Sequence, residues 1–171
     1  MAQNIILLGF MGTGKTVVGK ELARRLGYRY TDTDSIIEAM ANKSISRIFA
    51  EDGEPHFRDL ETRATERVAQ LTRHVIATGG GIVMRDENLV NLRRAGPLVC
   101  LQADPDVIYQ RTKKDTSRPL LQTPHPRRTI KELLRQRAPH YAKADVHIDT
   151  SELSVGEVVE QVLAALERLA R

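Results

Sequence analysis

The run Gly9-Phe10-Met11-Gly12-Thr13-Gly14-Lys15-Thr16 constrains this chain more than any other feature. It fits G-x-x-x-x-G-K-[ST] and follows the apolar run Ile5-Ile6-Leu7-Leu8, so a strand should enter the loop and a helix should leave it near Lys15. At average residue frequencies a chain of 171 residues matches this pattern by accident roughly once in a few hundred cases. The glycines let backbone N–H groups surround phosphate oxygens with no Cβ in the way. The helix N-terminus adds its positive end, Lys15 brings a point charge to the β- and γ-phosphates, and Thr16 offers a hydroxyl to Mg²⁺. Gly12, Thr13, Gly14, Lys15, Thr16 and Val17 are therefore the candidate nucleotide-binding residues. The loop alone does not say what, if anything, receives a phosphate.

The rest of the chain alternates short β-rich runs with helical patterns. Asn4–Leu8, Arg29–Asp32, His74–Ala77, Pro97–Gln102 and Val146–Asp149 read as strands. The nearly continuous apolar ones suit a parallel sheet covered on both faces. Val18, Leu22 and Leu26 recur at helical spacing before Gly27, a natural stop. Val155, Val158, Val159, Val162, Leu163, Leu166 and Leu169 form a second stripe, with Ser154 and Glu157 as its capping box. This order predicts a doubly wound α/β fold in one domain over residues 1–171. Two stretches interrupt it. Residues 33–73 hold two or three helical patterns, read as a helical substrate-binding insertion; residues 112–126, with three prolines, read as a mobile lid.

Composition narrows the class. Apolar residues make up 41% and charged ones 28%, which is ordinary for a globular chain and too apolar for a disordered one. A single cysteine, Cys100, excludes an internal disulfide framework and any multi-cysteine metal site, and it reads as a buried small hydrophobe. No apolar run reaches the roughly 20 residues of a membrane span. The start, Met1-Ala2-Gln3-Asn4, lacks the basic segment of a secretory signal, so a cytoplasmic protein with no membrane partner is expected. The five histidines show no metal-ligand spacing.

Three clusters bear on an acceptor. In Asp32-Thr33-Asp34, one carboxylate could face Mg²⁺ and the other an acceptor hydroxyl; alternatively, Asp32 or Thr33 caps a helix starting near Ser35. Arg58 has Glu54 four residues before and Glu61 three after, which makes either a surface ion pair or a guanidinium aimed at an anion. Gly79-Gly80-Gly81 follows the third strand at the sheet edge where such folds bind ligands, and either close approach to a ligand or a tight turn explains it.

Taken together, these motifs resemble the shikimate kinase family. The matching segments are the phosphate loop, Asp32-Thr33-Asp34, Gly53-Glu54 with Phe57-Arg58 and Glu61, the glycine triplet, Arg118-Pro119-Leu120-Leu121, and Arg137-Ala138-Pro139-His140-Tyr141. They run in family order from residue 5 to about 150. The resemblance implies a nucleoside-monophosphate-kinase-like P-loop fold of three layers, with a five-stranded parallel sheet in the order 2-3-1-4-5. It implies transfer of the γ-phosphate of ATP to the 3-hydroxyl of shikimate, with Mg²⁺ as cofactor. It makes Asp34 the residue that binds the reacting diol and the candidate base, with Lys15 and Arg118 as its catalytic partners, Arg118 reaching from the lid to the transferring phosphate of ATP, and Asp32 a holder of Mg²⁺ beside Thr16. Arg58 and Arg137 would grip the substrate carboxylate, Gly79, Gly80 and Gly81 would complete the pocket, and Arg111 would lie near the adenine. Thr16 stands where the family usually has serine, His140 where leucine is common, and Val155 where proline is frequent.

Two rivals share part of the pattern: a gluconate-kinase-like enzyme of the same fold, and a nucleotide switch or basic nucleic-acid-binding module. The net charge is +4, but residues 111–137 alone carry +7 and the remainder −3. That concentration reads as a clamp over ATP and an anionic substrate rather than a nucleic-acid surface. A monomer with no nucleic-acid partner is the expectation.

Overall fold

The computed structural model describes residues 3–171. Five strands, β1 (Ile5–Leu8), β2 (Arg29–Asp32), β3 (His74–Ala77), β4 (Leu98–Gln102) and β5 (Val146–Asp149), form one parallel sheet in the order β2-β3-β1-β4-β5. The strands read from sequence agree within a residue at each end. β1 is central, paired with β3 on one side and β4 on the other, and it leads straight into the phosphate loop.

The alternation of β1 explains the two faces. Ile5 and Leu7 point into a cluster with Val18 and Leu22 of α1 (Lys15–Leu26) and Val158, Val159 and Val162 of α8 (Val155–Leu169). Ile6 and Leu8 point the other way, against Leu89 and Leu92 of α5 (Asp86–Ala95), with Cys100 buried in the same cluster. Burial pushes the Cys100 thiol up to about 11, as expected of an inert packed thiol. α1 ends at Gly27, in the left-handed region at φ 64°, and the Ser154–Glu157 capping box starts α8. The α8 stripe is narrower than its sequence pattern: Val155 and Leu169, at its two ends, are exposed.

Residues 33–73 contain three helices, α2 (Thr33–Ala41), α3 (Ile45–Glu51) and α4 (Glu54–Val68), joined by their own core of Ile37, Ile48, Phe57, Leu60 and Ala64. α6 (Pro105–Thr112) precedes the proline-rich stretch, and α7 (Pro126–Tyr141) follows it. The stretch between them is better built than a bare loop. It makes a short 3₁₀ turn at Pro119–Leu121, and Leu121 is buried with Phe10, Met11, Ile108 and Ile130 beneath the phosphate loop. No helix of the described residues is long and apolar enough to cross a membrane.

Candidate active site

The phosphate loop spans the turn from β1 to α1. Gly12 and Gly14 sit at φ 80° and 100°, the left-handed region that glycine tolerates, which curls the loop back over the start of α1. Thr13 is buried and donates its hydroxyl to the Phe10 carbonyl at 2.7 Å. Lys15 Nζ donates to the carbonyls of Gly9 at 2.7 Å and Phe10 at 2.9 Å. Burial, and secondarily the positive charge of Arg118, bring the Lys15 ammonium down to about 8.

The loop is also fastened from outside. Thr150, just past β5, donates its hydroxyl to the Thr13 carbonyl at 2.8 Å. Arg111, from α6, reaches the Gly12 carbonyl at 3.1 Å and the Thr150 carbonyl at 3.0 Å. Arg111 thus braces the loop while also lining the cavity beside it. Thr150 escaped the sequence reading; the signal was its place at the carboxyl end of a strand, on the same sheet edge as the loop.

On the acceptor side, the capping reading of Asp32-Thr33-Asp34 is the one the backbone shows. Asp32 caps α2, its Oδ1 accepting from the Asp34 N–H at 2.8 Å, and the helix begins at Thr33 rather than near Ser35. That cap turns Asp34 inward. Its Oδ2 lies 3.4 Å from Arg118 Nη1, and its buried Oδ1 has no hydrogen-bond partner. Burial and the neighbouring Asp32 charge hold the Asp34 carboxyl above the usual carboxylate range, opposed by Arg118 and Lys15.

Arg58 does not make a surface pair. Its Nη1 donates to Glu61 Oε2 at 2.7 Å and its Nη2 to Glu54 Oε1 at 3.0 Å, and the Glu61 side chain is only 1% exposed. Burial raises the Glu61 carboxyl and Arg58 opposes it. Arg137, on α7, is 3% exposed and stacks 5.2 Å from the Phe10 ring centroid, with its buried Nη1 unpartnered.

The glycine triplet joins these groups, for a reason other than backbone conformation: none of the three has a positive φ. A Cβ on Gly79 would lie 3.0 Å from both Asp34 Oδ1 and Glu61 Oε1, one on Gly80 3.0 Å from Arg137 Nη1, and one on Gly81 2.5 Å from Arg58 Nη1. The glycines leave room for the side chains around the pocket. Thr33 and Tyr141, which lie in motifs quoted above but were given no part in the site, hold this segment: Thr33 Oγ1 accepts from the Gly79 N–H at 3.1 Å, and the Tyr141 hydroxyl donates to the Gly80 carbonyl at 2.5 Å.

All these elements border one cavity of about 700 Å³, whose wall includes every candidate site residue named from the sequence. Its five cations, Lys15, Arg58, Arg111, Arg118 and Arg137, face five carboxylates, Asp32, Asp34, Glu38, Glu61 and Asp115. Only Arg111, Arg118 and Arg137 come from the nine basic residues of 111–137. The clamp reading of the whole segment is thereby corrected. α7 turns Arg137 inward, while Arg127, Arg128, Lys131 and Arg135 lie on its solvent face. Val17, 53% exposed, and Val155, 39% exposed, form an apolar part of the wall.

Among the described residues no group of three His, Cys, Asp or Glu side chains is placed to hold a metal ion. Thr16 and Asp32 form an oxygen-only pair on the cavity wall, which suits a hard cation that draws most of its ligands from phosphates and water.

Comparison with known proteins places this geometry in a family. A family model described as shikimate kinase matches residues 11–167. Shikimate kinase of Thermodesulfovibrio yellowstonii is 48% identical over 168 residues, covering 98% of this chain and 97% of that protein. The Caldanaerobacter subterraneus enzyme is 46% identical over 167 residues, 98% of each chain. Among solved structures, shikimate kinase from Acinetobacter baumannii in complex with shikimate superposes with a TM-score of 0.94 at 34% identity, over 98% of this chain and 94% of that one. A gluconokinase from Sinorhizobium meliloti, at 20% identity and a TM-score of 0.64, shares the fold. With a family model over most of its length and relatives matched end to end, the chain belongs to the shikimate kinase family of ATP-dependent kinases.

Proposed function

We propose that Asp34, Arg118 and Lys15 carry the transfer of the γ-phosphate of ATP to the 3-hydroxyl of shikimate, a step of aromatic amino acid biosynthesis, within this single cavity. The observation that carries the assignment is a pair of unmet polar atoms on either side of the glycine segment. Asp34 Oδ1 is a buried acceptor and Arg137 Nη1 a buried donor. A ring with hydroxyls at one end and a carboxylate at the other satisfies both. The nearest alternative acceptor, gluconate, would also offer a carboxylate and hydroxyls; the family match favours shikimate.

In this reading Arg58 and Arg137 take the substrate carboxylate, Arg58 being pre-oriented by Glu54 and Glu61. Gly79, Gly80 and Gly81 let the ring approach the backbone. Asp34 holds the reacting hydroxyl; as its oxygen bonds to the γ-phosphorus and the bond to the β-bridging oxygen breaks, its proton passes to the Asp34 carboxylate. Arg118 leaves Asp34 for the transferring phosphoryl group, whose charge is greatest in the transition state. Gly12, Thr13, Gly14, Lys15, Thr16 and Val17 hold the nucleotide, and Arg111 lies toward its base. Thr16 and Asp32 are the residues that would hold Mg²⁺, which when bound supplies positive charge to the β- and γ-phosphates.

Residues 33–73 serve as the substrate-binding insertion and 112–126 as the lid that brings Arg118 over the site, the whole chain working as one domain. In this reading the chain acts as a monomer, in the cytoplasm where ATP is available. ADP production measured with shikimate, with gluconate and with neither tests the reading. Release that requires shikimate is expected; equal release with gluconate or without an acceptor would overturn it.

A further inference from the structure

Tyr30 stands beside the pair of residues just assigned to Mg²⁺ and is used by none of the chemistry above. Its ring packs against α1 at Gly19, where a Cβ would come within 2.7 Å of the Tyr30 Cε2, so a glycine there is what admits the ring. The same glycine position lies 3.2 Å, by the same construction, from Leu7 Cδ1, and the ring belongs to the core cluster beneath α1 and α8. The ring is thus set by packing, and its hydroxyl falls 3.3 Å from Asp32 Oδ2. The Thr16 hydroxyl is its other polar neighbour. A carboxylate oxygen only accepts, so in this contact the phenol is the donor.

Asp32 is therefore restrained at both oxygens: Oδ1 by the Asp34 N–H at 2.8 Å and Oδ2 by the Tyr30 hydroxyl. A carboxylate with one lone pair engaged on each oxygen keeps others free, now in fixed directions. We infer that Tyr30 is a positioning residue that orients Asp32, together with Thr16, toward the cation carried by the nucleotide. The inference rests on the reading of Thr16 and Asp32 as the Mg²⁺ pair. Outer partners of metal ligands act in this way, by fixing orientation rather than by touching the ion.

Tyr30→Phe removes the oxygen and keeps the ring over Gly19. Calorimetry of ADP binding with and without Mg²⁺, beside the free Mg²⁺ concentration giving half-maximal turnover, reads the effect. The variant should bind metal-free ADP as the parent does. It should lose most of the tightening that Mg²⁺ gives to ADP, and need about tenfold more Mg²⁺ for half-maximal turnover. The shikimate KM should stay constant, and kcat should recover at saturating Mg²⁺. An unchanged Mg²⁺ requirement, or an equal loss of ADP affinity with and without the metal, would overturn the inference, the second because it marks Tyr30 as merely shaping the loop. Asp32→Ala separates the two claims: if it too leaves the Mg²⁺ effect on ADP intact, the Asp32 metal assignment fails; if it abolishes that effect while Tyr30→Phe does not, only the role of Tyr30 fails.

Discussion

Arg58 occupies the space that a side chain at residue 81 would need: a Cβ on Gly81 would lie 2.5 Å from its Nη1 and 2.9 Å from its Cζ. The guanidinium can give way only by breaking its contacts with Glu54 and Glu61, which hold it from the other side at 3.0 and 2.7 Å. Gly81→Ala should therefore displace Arg58 and leave the phosphate loop alone. The expected result is a rise in shikimate KM of about 10–100-fold, the worth of one charge-assisted contact, with ADP affinity measured by calorimetry within about threefold of the parent.

Arg118 bridges the two halves of the site, touching Asp34 at 3.4 Å and lying on the stretch between α6 and α7. Arg118→Ala should lower kcat by about 10³-fold or more while changing ATP affinity little, since such arginines act mainly on the transition state. Steady-state kinetics with both substrates varied checks this; an unchanged kcat removes Arg118 from the chemistry.

Two opposed titrations should frame the pH profile. The Asp34 carboxyl lies above the ordinary carboxylate range, and a base must be ionised to work, so kcat should fall as pH drops through that raised value. Lys15 lies near 8 in the free protein and must be charged to hold phosphate, so kcat/KM for ATP should decline as pH rises past about 8. Arg118 lowers both groups. In the residual activity of Arg118→Ala, both limbs should move to higher pH.

Thr150 ties β5 to the phosphate loop through the Thr13 carbonyl at 2.8 Å, in a buried setting. Thr150→Val keeps the shape and removes that donor. Leaving the carbonyl unsatisfied should cost about 1–3 kcal/mol in urea unfolding and weaken ADP binding together with stability.

Much of the fold is legible in the sequence because parallel strands buried on both faces read as apolar runs; Ile5-Ile6-Leu7-Leu8 and Leu98-Val99-Cys100-Leu101 needed only their order. The phosphate loop is legible because its chemistry is local. What sequence spacing leaves undecided is non-local. Whether Arg58 lies on the surface depends on Glu61 being buried under the glycine segment, and the purpose of three glycines is visible only once Asp34, Arg137 and Arg58 are seen to converge on them. Thr150 and Tyr141 act through carbonyls more than sixty residues away, which no local motif encodes. Charge counting failed for the same reason. Residues 111–137 share a sign, but helix geometry sends most of that charge to solvent.

Asp34→Asn tests the central claim most directly, with two readouts on one preparation: ADP formation in the presence of shikimate, and calorimetric ADP binding. The asparagine keeps the size of the side chain and its neighbour Gly79 but cannot take up the proton of an acceptor hydroxyl. The account predicts turnover lowered by about 10³-fold or more, with ADP affinity within about threefold of the parent. Turnover near the parent level, or a loss of nucleotide affinity that matches the loss of turnover, would contradict it.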